Sequence, residues 1–158
     1  MNKTRLQTLI IDRLQADLAI ARDALKASHE AATHAESKAE NKYDTRGLEA
    51  AYLADGQRRR VHEIETALVA YRNLSLRPQA DEPIRVGALV ALDQEGVDRL
   101  IFLGPDGAGL RMMDEGREVL VITPRSPLGQ ALLGREAGDK VELQVDGRRQ
   151  HCEVVTIW

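Results

Sequence analysis

Several groups of residues in this chain have types and spacings that could do chemistry. Glu36, Glu40 and Asp44 recur every four positions, as do Lys38, Lys42 and Arg46. On a helix each set forms a stripe, the two about 200° apart. Carboxylates in a row repel one another and are hard oxygen ligands, so an acidic stripe suits a divalent cation or a basic partner. The same pattern also serves as a solvated face, with Asp44 or Thr45 capping a following helix. Arg58-Arg59-Arg60 is a second group. Consecutive helical positions fan around most of a turn, so the three cannot converge on one phosphate. They form either a solvated face with aliphatic stems over the helix or a spread basic patch.

Other candidates carry less. His29, His34, His62 and His151 have no metal-ligand spacing with one another or with Cys152. His151 and Cys152 are neighbours in a strand-type run, which points them to opposite faces and makes a poor catalytic dyad. Gly104-Pro105-Asp106-Gly107-Ala108-Gly109 resembles a phosphate loop only superficially, since no Lys-Ser/Thr pair follows and no helix begins there. It reads as a turn.

The elements that must position these residues are legible from periodicity. Between Lys3 and about Asn41 there is neither Gly nor Pro, and Ile11, Leu18, Leu25, Ala32 and Ala39 alternate with Leu14, Ala21 and Ala35 on a heptad, the pattern of a coiled-coil helix. Ala50, Ala54, Val61, Ile64, Leu68 and Tyr71 continue the rule from about Leu48 to Leu74. Only Tyr43 to Gly47 separate the runs, so they are expected to be antiparallel neighbours. The seam passes from Leu and Ile at the base to Ala at the turn. That predicts a slim tip on a rod of about 45 Å at roughly 1.5 Å per residue.

Leu76 to Pro83 has two prolines and no apolar pattern and reads as a linker. Strand-type runs follow at Ile84–Leu92, Asp98–Leu103, Val119–Thr123, Lys140–Val145 and His151–Ile157, with Asp146-Gly147 as a two-residue hairpin turn. Ser126 as N-cap, Pro127 at the first helical position and Gly134 as the stop predict one short helix from Pro127 to Leu133. The expected fold is therefore α+β with two domains: a helical hairpin over 1–75, a linker over 76–83, and a small antiparallel sheet with one helix over 84–158.

Composition bounds the rest. The 158 residues are 43% hydrophobic and 30% charged, which excludes a disordered tail and a membrane protein. Aromatics are only 3%, too few for one large packed core, but a thin Leu/Ile/Ala seam needs none. Residues 1–78 carry 13 basic against 11 acidic side chains and residues 79–158 carry 9 against 14. Neither half has the excess of an autonomous DNA binder. The basic start at Met1-Asn2-Lys3-Thr4-Arg5 is followed by an apolar stretch interrupted by Gln7, Thr8, Asp12 and Arg13, so no signal peptide or membrane span is expected. The single Cys152 fits a reducing cytoplasm.

A heptad hairpin, a linker and a small sheet domain, in that order, resemble the Gre family (GreA/GreB) of bacterial transcript-cleavage, or elongation, factors. The string Val119 to Val141, containing Thr123-Pro124-Arg125-Ser126-Pro127-Leu128-Gly129, is similar to that family's strand, Ser-Pro helix and turn into the next strand. Glu153 to Ile157 resembles its last strand, and Arg60 to Leu68 its returning helix. The resemblance implies an FKBP-like C-terminal domain. It also implies an accessory factor without complete catalytic machinery of its own, cytoplasmic, monomeric, unattached to membrane and at most weakly DNA-binding. Such a factor docks on the rim of bacterial RNA polymerase through the region of Ser126, Pro127 and Leu128 and inserts its hairpin in the secondary channel. Acidic tip residues, here Glu40 and Asp44, then assist the Mg²⁺ of the polymerase's own active site, and backtracked RNA is cleaved near its 3′ end. Arg58, Arg59 and Arg60 would contact displaced RNA or the channel wall.

The family's tip carries an Asp and a Glu three residues apart, followed by Asn. Matching on Glu40-Asn41 puts Ser37 where the first acid belongs; counting back from Glu63-Ile64-Glu65 puts Glu40 first and Tyr43 second. Either register retains one acid of the pair, so a non-cleaving regulator occupying the same channel stands beside the cleavage factor. A prolyl isomerase is the weaker rival, because such a site needs an aromatic-lined pocket and this domain holds only Phe102 and Trp158.

Overall fold

The computed structural model describes residues 1–37, 45–80 and 82–158, without the side chains of 35–37. Two long helices, α1 (Lys3–Ser37) and α2 (Arg46–Asn73), precede β1 (Leu89–Gln94), β2 (Val97–Leu103), β3 (Arg111–Asp114), β4 (Arg117–Ile122), α3 (Pro127–Leu132), β5 (Lys140–Val145) and β6 (Arg148–Ile157). The chain divides into two compact units, 12–69 and 1–11 with 70–158. The first turns of α1 and the last of α2 thus belong with the sheet.

In the helical unit the seam is built as the heptads require. Leu14, Leu18, Ala21 and Ala32 of α1 and Ala54, Ile64, Ala67 and Leu68 of α2 are buried, and the Arg22–Glu65 ion pair at 2.9 Å joins antiparallel helices. Ser28 takes a seam position seven residues from both Ala21 and Ala35 and is buried at 8% exposure. Gly47 is buried near the turn. The buried residues toward this end are thus small, and small side chains permit close backbone approach; the tip itself lies outside the described residues.

Gly56 interrupts α2, and a Cβ built there would meet nothing within 4 Å. Glycine in a helix interior costs about 1 kcal/mol relative to alanine, so Gly56→Ala should stabilise the helical unit by up to about 1 kcal/mol. Thermal unfolding followed at the helix band should show a raised midpoint; a lowered one would mean that this glycine has a role that packing does not reveal.

The six strands form one sheet in the order β3-β4-β2-β1-β6-β5. Sequence reading placed five strands, all antiparallel. The sheet is antiparallel except between β2 and β4, which run parallel with Leu100 opposite Val119 and Leu103 opposite Ile122. The cause is β3: this four-residue strand lies at the edge and its hairpin folds β4 back between itself and β2. Leu100 to Leu103 are buried on both faces, as a continuous apolar run in a central strand requires. The first strand also starts later than expected, at Leu89. Ile84 instead bridges to the end of α3, its N–H donating to the Arg135 carbonyl at 2.7 Å and its carbonyl accepting from Gly134 N–H at 2.8 Å.

Three hairpins close on a pair of left-handed residues: Glu95-Gly96, Glu115-Gly116 and Asp146-Gly147, with φ between 50° and 84°. These turns match the right-handed twist of the strands. One sheet face holds the larger core, where Val90, Leu92, Ile101, Leu103, Val154 and Ile157 pack with Leu132 of α3. On the other face the Tyr71 ring stacks on Phe102, with centroids 6.5 Å apart and planes 26° apart.

The base of the hairpin is tied to the sheet domain by named contacts. Gln7 donates its amide to the Tyr71 carbonyl at 2.7 Å and the Leu74 carbonyl at 3.0 Å, satisfying the C-terminal carbonyls of α2. Tyr71 donates its hydroxyl to the Asp106 carbonyl at 2.8 Å. A Cβ at Gly104 would lie 2.2 Å from that hydroxyl, so the turn read from Gly104 to Gly107 needs glycine to admit the tyrosine. The segment read as a linker also has fixed contacts: Gln79 is 2% exposed.

Burial, and secondarily the Asp106 carboxylate, push the Tyr71 phenol well above its ordinary value of 10.0. A group whose folded pKa is raised stabilises the fold fully below the unfolded pKa and loses that contribution as pH rises toward the folded one. The protein should therefore lose stability above about pH 10, and Tyr71→Phe should remove that alkaline sensitivity while costing about 1 kcal/mol at neutral pH. Urea unfolding at neutral and alkaline pH checks both. Equal alkaline losses in parent and variant would clear Tyr71 of the role.

Candidate functional site

The structure sets those expected site residues that it describes in two places. Arg58, Arg59 and Arg60 lie on α2 in the helical unit, all exposed. Arg58 pairs with Asp55 one turn back, and Arg60 Nη1 lies 3.8 Å from Glu63 Oε2 one turn on. Two of the three charges are thus partly neutralised on their own helix, and the side chains leave it in successive directions. Glu40 and Asp44 lie outside the described residues. On the α2 side of the tip Thr45 accepts from Glu49 N–H at 3.0 Å through its carbonyl.

Ser126, Pro127 and Leu128 lie in the other unit, at the start of α3. Ser126 is the N-cap: its Oγ accepts from Gly129 N–H at 3.1 Å and donates to the Thr123 carbonyl at 2.8 Å. Its extended backbone (φ −75°, ψ 152°) and Pro127 in the first turn complete the expected cap. Pro127 is exposed and Leu128 half-buried against the core. A capped, proline-stiffened helix start presents an apolar rim with little conformational freedom to lose on binding.

Sequence reading missed Gly129, on which this arrangement depends. A Cβ there would lie 1.9 Å from the Thr123 carbonyl oxygen and 2.9 Å from Ser126 Oγ. It also missed Leu48, Tyr52 and Leu53, which are 55%, 68% and 58% exposed beside the hairpin turn; the signal was their place off the heptad seam. Among the described residues no group of three or more His, Cys, Asp or Glu side chains could hold a metal. Cys152 is buried, His151 exposed on the opposite face, and burial pushes the Cys152 thiol up. Such a thiol is a weak nucleophile.

Residues 83–158 match the family model described as "Transcription elongation factor, GreA/GreB, C-term". Residues 83–158, just under half of the chain, thus carry a GreA/GreB C-terminal domain. The transcription elongation factor GreA of Desulfovibrio desulfuricans is 32% identical over 103 residues, which cover 62% of this chain and 58% of that protein. The match thus spans little more than half the length of that Gre relative. Among solved structures, the GreA factor homolog 1 (Gfh1) of Thermus thermophilus aligns over 94% of both chains at 23% identity and a TM-score of 0.39. A GreA/GreB factor from Nitrosomonas europaea aligns over 60% of this chain and 78% of its own at 16% identity and a TM-score of 0.33. No helix among the described residues is long and apolar enough to cross a membrane.

Proposed function

We propose that the chain is a cytoplasmic transcription elongation factor that binds bacterial RNA polymerase and promotes cleavage of backtracked RNA. What supports the reading is a GreA/GreB C-terminal domain joined to an antiparallel helical hairpin whose seam narrows to Ala, Ser and Gly toward the turn. The domain, through Ser126, Pro127 and Leu128, holds the polymerase rim. The hairpin enters the secondary channel with Arg58 to Arg60 along its wall or the displaced RNA. Glu40 and Asp44 assist there as carboxylate ligands. The Mg²⁺ they would assist belongs to the polymerase active site, where it would supply charge stabilisation to the reacting oxygens.

The second reading, a regulator that occupies the channel without promoting cleavage, is favoured by the tip itself, where either register keeps one acid. Incubation of the purified protein with a backtracked elongation complex separates the two. Shortened RNA supports the cleavage factor; no fragments across a broad Mg²⁺ range, with competition against a cleavage factor, selects the regulator. In the first case Glu40→Gln with Asp44→Asn should abolish cleavage and leave polymerase binding nearly intact, since a ligand to the reacting metal matters in the transition state and not in docking. A double variant that cleaves like the parent would remove these residues from the role.

A further inference from the structure

The side of α2 turned away from the hairpin seam carries a pattern that the seam does not explain. Ala54, 2% exposed, marks the seam. At about 100° per residue, Glu49, Tyr52, Gly56 and Arg59 lie about 140–160° round the helix from it, on the outer side. Glu49 and Arg59 are exposed, and Tyr52 is 68% exposed. All four belong to the helical unit.

These groups lack partners within the described chain. Arg58 and Arg60 are held by Asp55 and Glu63 one turn away, whereas neither Arg59 between them nor Glu49 makes an ion pair or side-chain hydrogen bond with any described residue. Gly56 costs the helix about 1 kcal/mol relative to alanine, yet a Cβ there would meet nothing within 4 Å. The notch it leaves, one turn from the Tyr52 ring, is filled by no side chain of this chain.

The spacing selects the occupant. Glu49 and Arg59 stand five positions before and after Ala54, and Tyr52 and Gly56 two before and after. A two-fold axis at that point, with the helices antiparallel, brings Glu49 to Arg59 of the copy and Tyr52 to Gly56 of the copy, each contact occurring twice. Opposite charges meet, and a large knob meets bare backbone. Leu53, 58% exposed, would lie beside its own copy on one flank; on the other Asp55 does the same, its charge offset by Arg58. We propose that the outer face of α2 binds a second copy of this chain as an antiparallel helix pair centred on Ala54, in place of the monomer that the family resemblance implies. A face made for a different partner has no need to match its own reverse. The seam is short and half polar, so the association is weak, with a dissociation constant on the order of 0.1 mM. The proposal does not depend on the polymerase reading above.

Sedimentation equilibrium of the full chain should show the mass rising from one copy toward two between about 5 μM and about 1 mM. Gly56→Leu fills the notch with a better helix former, so helix content should hold while association weakens at least about tenfold. Glu49→Arg and Arg59→Glu should each weaken it, because each sets like charges opposite one another twice; the two combined should restore it. Positions 49 and 59 are about 15 Å apart along one helix, too far to pair within a chain, so that rescue requires a second copy. A chain that stays monomeric throughout, leaving the face to another partner, would overturn the proposal. So would a dimer indifferent to Gly56→Leu, or a doubly reversed variant that associates no better than either single one.

Discussion

Gly129→Ala should destabilise the sheet unit by about 3 kcal/mol or more, the sum of an overpacked contact and a lost helix cap. The added methyl would lie 1.9 Å from the Thr123 carbonyl oxygen and 2.7 Å from its carbon. That carbonyl also accepts from Ser126 N–H at 3.0 Å and Ser126 Oγ at 2.8 Å, so it cannot retreat without breaking the cap. Moving α3 outward instead withdraws Leu132, which is fully buried in the core. The expected midpoint shift is about 10 °C downward, read by calorimetry, with Gln130→Ala on the exposed side of the same helix as a near-neutral control. If polymerase docking runs through Ser126 to Leu128, binding should fall with it. An unchanged midpoint would mean that α3 accommodates the methyl group and that its seating on Thr123 is loose.

Arg5→Met should be nearly as damaging for a different reason. Asp114 on β3 is 1% exposed, and its Oδ1 lies 3.1 Å from Arg5 Nε. Neither carboxylate oxygen has a hydrogen-bond donor in good geometry, so the guanidinium compensates by charge alone. Removing one partner of a buried pair strands the other. Because Arg5 is 53% exposed, the cost is expected at about 2–3 kcal/mol, the lower end for such pairs. Glu115, exposed and 3.6 Å from Arg5 Nη1, is a surface partner, and Glu115→Gln should cost less than about 1 kcal/mol. Arg5→Met with Asp114→Leu should recover most of the loss, since an apolar pair of similar volume needs no compensation. Failure of the double variant to recover would show that Asp114 is kept for something other than the ion pair.

What the sequence by itself determined follows from local periodicity and local caps. The heptads of Leu14, Leu18, Ala21, Ala54, Ile64 and Leu68 specify two helices with one buried stripe each, and the short join between them makes those helices antiparallel. Ser126-Pro127 and Gly134 fix α3 almost to the residue, because a cap is satisfied within four positions of itself. The Asp146-Gly147 hairpin is legible for the same reason.

Only the tertiary structure decided what depends on partners far along the chain. Met112 and Met113 give no clear alternation and Glu-Gly is a weaker turn signal than Asp-Gly, so β3 and the parallel pairing of β2 with β4 emerge only when the sheet closes. Composition marked Leu76 to Pro83 as linker, since two prolines remove local structure; long-range contacts nevertheless bury Gln79 there. Likewise Gly104 reads in sequence only as a turn residue, and Gly129 and Arg5 carry no local signal. Their importance is steric or electrostatic and comes from Tyr71, Thr123 and Asp114, residues that a local pattern cannot place beside them.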